Sequence, residues 1–192
     1  KKDADNIKDL YEKKGYPWVE VTYEIEADES NDSSKAIFTI NEGGRAVVKK
    51  IDLIGNTGFS DKRIAKIMKS RTEGFFRSGA YKKEALEDDM ERIKNFYKQS
   101  GYLDAKPEYE ILFQEKGRKK WIEIAVRIEE GRKYVAGAIK IANNTVFSEE
   151  ELKALFKMKS GDTFTEEALH TDVASVQEHY FDKGYIMARV RP

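Results

Sequence analysis

The sequence predicts an α+β protein built from tandem β-α-α-β-β repeats, each with two helices packed on one face of a three-stranded mixed sheet. Three recurring markers carry that prediction. Tyr97-Lys98-Gln99-Ser100-Gly101-Tyr102 is matched by Tyr11-Glu12-Lys13-Lys14-Gly15-Tyr16 and by Tyr180-Phe181-Asp182-Lys183-Gly184-Tyr185, so the glycines stand 86 and then 83 residues apart. Ile51-Asp52-Leu53-Ile54-Gly55-Asn56-Thr57-Gly58-Phe59-Ser60 returns 88 residues later as Ile139-Lys140-Ile141-Ala142-Asn143-Asn144-Thr145-Val146-Phe147-Ser148, and Glu42-Gly43 returns as Glu130-Gly131 at the same offset. One order and nearly one period set the boundaries. Residues 1–44 end one repeat with its second helix and closing hairpin, 45–132 form a complete repeat, and 133–192 open a third with its first strand and two helices.

In the first piece, Ala4, Ile7 and Tyr11 follow helical spacing over residues 3–14, and Gly15 stands where a left-handed cap ends the helix. Val19, Val21, Tyr23 and Ile25 then alternate with polar residues from Trp18 to Ala27, as in a half-buried strand. A polar turn from Asp28 to Ser34 leads into a second strand, Lys35 to Asn41, whose apolar side is Ala36, Phe38 and Ile40.

The complete repeat begins with a strand over Val47 to Ile54. Ser60 is the expected N-cap of a first helix carrying Ile64, Ile67 and Met68. The second helix runs from about Lys82 to Gln99, with Leu86, Met90, Ile93 and Tyr97 in one stripe toward a sheet. Strands Lys106 to Gln114 and Lys120 to Glu129 follow, joined by Glu115-Lys116-Gly117-Arg118, and Ile122, Ile124, Val126 and Ile128 form the buried face of the second. The third piece opens with a strand at Val135 to Ala142 and a helix started by the capping box Ser148-Glu149-Glu150-Glu151. Its second helix repeats the stripe as Leu169, Val173, Val176 and Tyr180. A helix pair with one strand buries its apolar face poorly, so this piece is expected to be marginal unless something completes it, such as the hairpin of another copy.

Composition narrows the function classes. Lys plus Arg and Asp plus Glu both total 35 in 192 residues, so no global charge draws the chain to nucleic acid. There is no cysteine, which excludes disulfides and thiolate metal sites but fits either redox compartment. No apolar run is long enough to span a bilayer, and no secretion signal opens the sequence. From the incomplete first repeat, a piece of a longer protein is expected. His170 and His179 are nine residues apart on one helix and face opposite ways, so no metal site is expected. Carboxylate runs such as Glu87-Asp88-Asp89 read as solvated helix faces. Phosphate loop, nucleophile elbow and His-Glu-x-x-His motifs are all missing, so neither a catalytic residue nor a cofactor is expected.

The Gly-Asn after the first strand, the Tyr-x-x-x-Gly-Tyr ending the second helix and the Glu-Gly after the last strand together resemble the POTRA domain family. Such domains precede the membrane barrel of BamA-type assembly factors and of two-partner secretion transporters. The longer loop Lys69-Ser70-Arg71-Thr72-Glu73-Gly74-Phe75-Phe76-Arg77-Ser78-Gly79-Ala80-Tyr81 is similar to that of the third POTRA in BamA, which would make the flanking pieces parts of the second and fourth.

The resemblance implies a non-enzymatic scaffold on the periplasmic face of a Gram-negative outer membrane. Its implied partners are unfolded outer-membrane β-barrel proteins, accessory assembly lipoproteins and the barrel domain of the same parent chain. It also implies client capture at the strand after the second helix, through Lys106, Glu108, Tyr109, Glu110, Ile111, Leu112 and Phe113 in the complete repeat and Val19, Val21 and Tyr23 in the first. The competing reading leaves these residues packed in the sheet with a solvated edge. Phe75 and Phe76 form a partner-docking loop, or else fold back between helix and sheet. Gly43, Gly44 and Gly131 serve as hinges, or only as tight passages between repeats. Two further readings stand beside the scaffold: a transporter segment recognising one exported protein, and a small nucleic-acid-binding α/β module, against which the neutral charge and the missing Gly-x-x-Gly clamp weigh.

Overall fold

Helical and alternating apolar patterns resolve into helices and strands in the computed structural model, which describes residues 1–28, 33–117 and 119–192. The elements run α1 (Lys2–Lys13), β1 (Glu20–Asp28), β2 (Ser33–Asn41), β3 (Val48–Ile54), α2 (Asp61–Ile67), α3 (Lys83–Gln99), β4 (Lys106–Lys116), β5 (Lys119–Glu129), α4 (Glu149–Lys153) and α5 (Glu166–Asp182). The expected turns at Asp28 to Ser34 and Glu115 to Arg118 include residues outside the described ones. Two compact units form, residues 1–93 with 107–128, and residues 94–106 with 129–192.

In the first unit the sheet order is β3-β5-β4, with β3 parallel to the central β5. Period-two alternation places Ile122, Ile124, Val126 and Ile128 of β5 on one buried face, joined by Val48 of β3, Ile64 of α2, and Leu86, Met90 and Ile93 of α3. Met68, expected inside the first helix, instead caps it with extended backbone, yet its side chain is buried. Strands β1 and β2 pair antiparallel in a separate two-stranded sheet, with Val21 opposite Ile40 and Tyr23 opposite Phe38.

In the second unit Ser148 Oγ accepts from Glu151 N at 3.1 Å, and Thr165 Oγ1 accepts from Ala168 N at 3.1 Å, so both α4 and α5 start on side-chain caps. The strand expected over Val135 to Ala142 does not form. The segment makes one isolated bridge, Val135 to Thr163, and no strand lies beside it among the described residues. A strand is defined by its partner; β3, its counterpart in the complete repeat, has β5. The segment instead borders an open groove of about 690 Å³ lined by Ile139, Ile141, Leu169 and Val173.

The recurring markers have a structural cause. Each Tyr-x-x-x-Gly-Tyr is a Schellman cap: Tyr16, Tyr102 and Tyr185 donate their N–H to the carbonyls of Tyr11, Tyr97 and Tyr180 at 2.9–3.0 Å. The intervening glycines take φ of +93°, +92° and +87°. The two tyrosine rings of each cap meet edge-on. Glu-Gly belongs to the same structure, because Tyr97 Oη donates to Glu130 Oε1 at 2.8 Å. Burial first, and that hydrogen bond second, hold the Tyr97 phenol well above its usual range. Tyr11 is raised likewise, by desolvation and then by its bond to Glu42.

The cap glycines also start the next repeat. Ala46 N donates to Gly15 O at 2.9 Å and Tyr81 N to Ala46 O at 3.1 Å; Tyr134 N donates to Gly101 O at 2.8 Å and Phe164 N to Tyr134 O at 3.1 Å.

Candidate functional site

Strand β4 lies at an edge of the sheet, with β5 on one side and no neighbouring strand on the other among the described residues. Its burial alternates over the first part: Lys106, Glu108 and Glu110 are exposed, while Pro107, Tyr109 and Ile111 are half-buried. Tyr109 is held above its usual phenol range by desolvation and then by the Glu87 carboxylate, partly offset by Lys83. Those two charges stand on α3, so the half-buried side of β4 faces that helix. The alternation fails at Phe113, which is exposed like Leu112 before it. The Phe113 ring meets Trp18 edge-on at 5.9 Å, and Lys120 Nζ lies 5.8 Å from the Trp18 ring.

The opposite edge of the sheet is partly closed. Val48 N donates to Gly79 O at 2.7 Å, Glu73 N to Val48 O at 2.8 Å, and Lys49 pairs with Glu73. The long loop thus covers the start of β3 and leaves β4 as the open edge. An unpaired row of N–H and C=O groups can take up any extended backbone, with alternate side chains giving modest selectivity. Of the three residues expected to act on β1, Val21 and Tyr23 stand on the strand, but Val19 precedes it and is buried.

Phe75 and Phe76 do not fold back. Gly74 and Arg77 exchange two backbone hydrogen bonds of 3.0 Å, making a tight turn whose two central residues are the phenylalanines. They are 97% and 93% exposed, and their rings meet edge-on at 5.0 Å. Gly43 and Gly131 both adopt positive φ at points of close approach. A Cβ on Gly43 would lie 2.5 Å from the Trp18 carbonyl oxygen, and one on Gly131 2.8 Å from Asp104 Cβ; Gly44 has open space around it.

Two buried carboxylates escaped the sequence reading. Asp89 accepts from Lys69 N at 2.6 Å, Ser70 N at 2.7 Å and Arg92 Nη1 at 2.7 Å. Asp172 accepts from Lys157 N at 2.9 Å and Met158 N at 3.0 Å. Both tie the second helix of a repeat to the chain leaving the first helix. Both stand twelve residues before a cap glycine, as Asp3 does, and that spacing is the signal that could have found them.

Among the described residues no helix is long and apolar enough to cross a membrane. The family model for POTRA, described as "surface antigen variable number repeat", matches residues 46–131 and again 134–192. A relative from Treponema pallidum (strain Nichols) is 28% identical over 188 residues, covering 96% of this chain and 22% of its own. The outer membrane protein assembly factor BamA of Nitratidesulfovibrio vulgaris is 25% identical over 197 residues, covering 98% and 24%. The chain therefore spans less than a quarter of either relative. The solved structure of Haemophilus influenzae BamA POTRA3-5 superposes with a TM-score of 0.51 at 16% identity, covering 94% of this chain and 69% of that one, a likeness of fold.

Proposed function

The chain belongs to the POTRA family, and from that premise we propose that it is a periplasmic, non-catalytic scaffold that receives unfolded outer-membrane β-barrel proteins during their assembly. Repeat boundaries near residues 44 and 132 go with this reading, and Gly44, with its open surroundings, is where the array bends. Accessory lipoproteins and the barrel of the parent chain are its other partners.

The observation that carries the reading is the open edge of β4 beside a partly closed edge of β3. A barrel precursor is a chain of alternating strands, and backbone pairing to β4 accepts many such sequences while selecting none strongly. Several weak contacts in series then hold a long client better than one tight site.

The test is an amide-resolved NMR titration with an unfolded, alternating peptide from a barrel strand. Shifts concentrated on residues 106–113 are expected. Proline at the two successive positions Glu110 and Ile111 separates the faces of the strand: at the position whose N–H points outward the fold survives and binding is lost, and at the other the ladder to β5 breaks. Absence of shifts at millimolar peptide, or binding unaffected by the outward proline, refutes capture at β4.

A further inference from the structure

Phe75 and Phe76 form the tip of a tight turn, and Arg77, which closes that turn, also lines a shallow depression of about 420 Å³. Its floor includes Ile51, Leu53 and Met68, and its rim carries Lys62 and Lys66 of α2 with Arg71 and Arg77 of the loop. Asp61 is the one carboxylate among the lining residues, and its Oδ1 accepts from Asn56 Nδ2 at 2.7 Å. Arg71 donates to the carbonyls of Met68 and Ser70. Among the described residues Lys62, Lys66 and Arg77 make no ion pair, and all three are exposed. A chain of zero formal charge thus gathers four cations against one carboxylate at this place.

We propose that Phe75 and Phe76 seat in an anionic lipid surface, with Lys62, Lys66, Arg71 and Arg77 meeting the headgroup phosphates. Two adjacent apolar rings at the apex of a turn form a convex knob. A fluid interface admits such a knob anywhere, whereas a protein partner must offer a matching pocket. Arg77 closes the turn that carries the rings, and Lys62, Lys66 and Arg71 line the same depression as Arg77, an arrangement suited to rings entering the acyl boundary while charged heads stay at headgroup level. The loop is tied to β3 by backbone bonds at Glu73 and Gly79, so the knob costs little ordering entropy on insertion. This contact is separate from β4 and stands or falls independently of client capture.

The experiment is flotation of the whole chain with large unilamellar vesicles of phosphatidylcholine alone and of phosphatidylcholine with phosphatidylglycerol at three to one. Binding to the anionic vesicles is expected, weakened by salt and at least tenfold lower on neutral ones. The double variant Phe75→Ser/Phe76→Ser lowers it at least tenfold, and Lys66→Glu/Arg77→Glu abolishes the preference for phosphatidylglycerol. These side chains are exposed, so circular dichroism should match the wild type. Because the chain lacks cysteine, Ser78→Cys accepts a single environment-sensitive fluorophore, whose emission shifts to the blue on the anionic vesicles. A proline that blocks β4 leaves flotation unchanged. No flotation of the wild type, or flotation indifferent to the phenylalanines, overturns the proposal. So does a wild type that ignores vesicles but loses a protein partner when the phenylalanines are replaced.

Discussion

Replacing Asp89 with Asn tests whether a buried carboxylate holds the loop after α2 onto α3. The carboxylate has no exposed surface, and its two oxygens accept two backbone N–H groups and one guanidinium N–H, all at 2.6–2.7 Å. Asn has nearly the same shape but one acceptor, so its amide N–H must face a backbone N–H. One charge-assisted bond is lost and a buried donor is left unsatisfied, each effect about 1–3 kcal/mol, so a total of about 3 kcal/mol is expected. Against a domain stability on the order of 5–15 kcal/mol that is a large fraction. With a urea slope of about 2 kcal/mol per M, the midpoint falls by about 1.5 M. Trp18 and Trp121 both lie in the unit that contains Asp89, so their fluorescence reports its unfolding. Asp88→Asn is the control: that side chain is 67% exposed and meets Arg92 at 3.3 Å, so about 0.5 kcal/mol or less is expected. If Asp89→Asn also stayed within about 0.5 kcal/mol of the wild type, the clasp would be an ornament of the fold and not one of its supports.

Two further predictions concern the caps. Gly15→Ala and Gly184→Ala impose the same left-handed strain, about 1–2 kcal/mol; only Gly15 adds a clash, with its Cβ 2.5 Å from the Tyr81 carbonyl oxygen while nothing lies within 4 Å at Gly184. Thermal melts should show Gly15→Ala the more damaging by several degrees. Tyr97→Phe removes the bond to Glu130 and should cost about 1–2 kcal/mol at neutral pH. The folded-state phenol is raised, so its contribution is fully present below the unfolded value of about 10. It is lost as pH climbs, because the unfolded chain sheds its proton first. Urea titrations above pH 10 should therefore show a shallower loss of stability for Tyr97→Phe than for the wild type.

What could be read from the sequence was local. The α3 stripe and the inner face of β5 came from periodicity alone, because burial on one side of a regular element writes itself into spacing. Tyr-x-x-x-Gly-Tyr was legible as a cap because the Schellman motif closes within six residues. Features decided by distant partners were not legible. Residues 135–142 have strand-like alternation, but a ladder needs a second strand, and none lies beside them among the described residues. Asp89 looked like part of a solvated acidic run because the backbone groups it binds lie nineteen and twenty residues away. For the candidate site, the POTRA resemblance pointed to the strand after the second helix, while the openness of β4 depends on the sheet order and on the loop that covers the start of β3. Whether Phe75 and Phe76 pointed inward or outward turned on two backbone bonds between Gly74 and Arg77.

The backbone relay at each cap has an evolutionary consequence. From Gly101 O to Tyr134 N and from Tyr134 O to Phe164 N, every link uses main-chain atoms, as does the matching relay through Gly15, Ala46 and Tyr81. The relay itself does not depend on the side chains at these positions, and they differ between the repeats: alanine stands where the next repeat has tyrosine, and tyrosine where it has phenylalanine. Only the glycine is held in place, because its conformation and the room beside it admit nothing larger. Modules joined in this way can be duplicated, exchanged and diverged without renegotiating their seam, so an array of them can lengthen or shorten while each copy acquires its own surface.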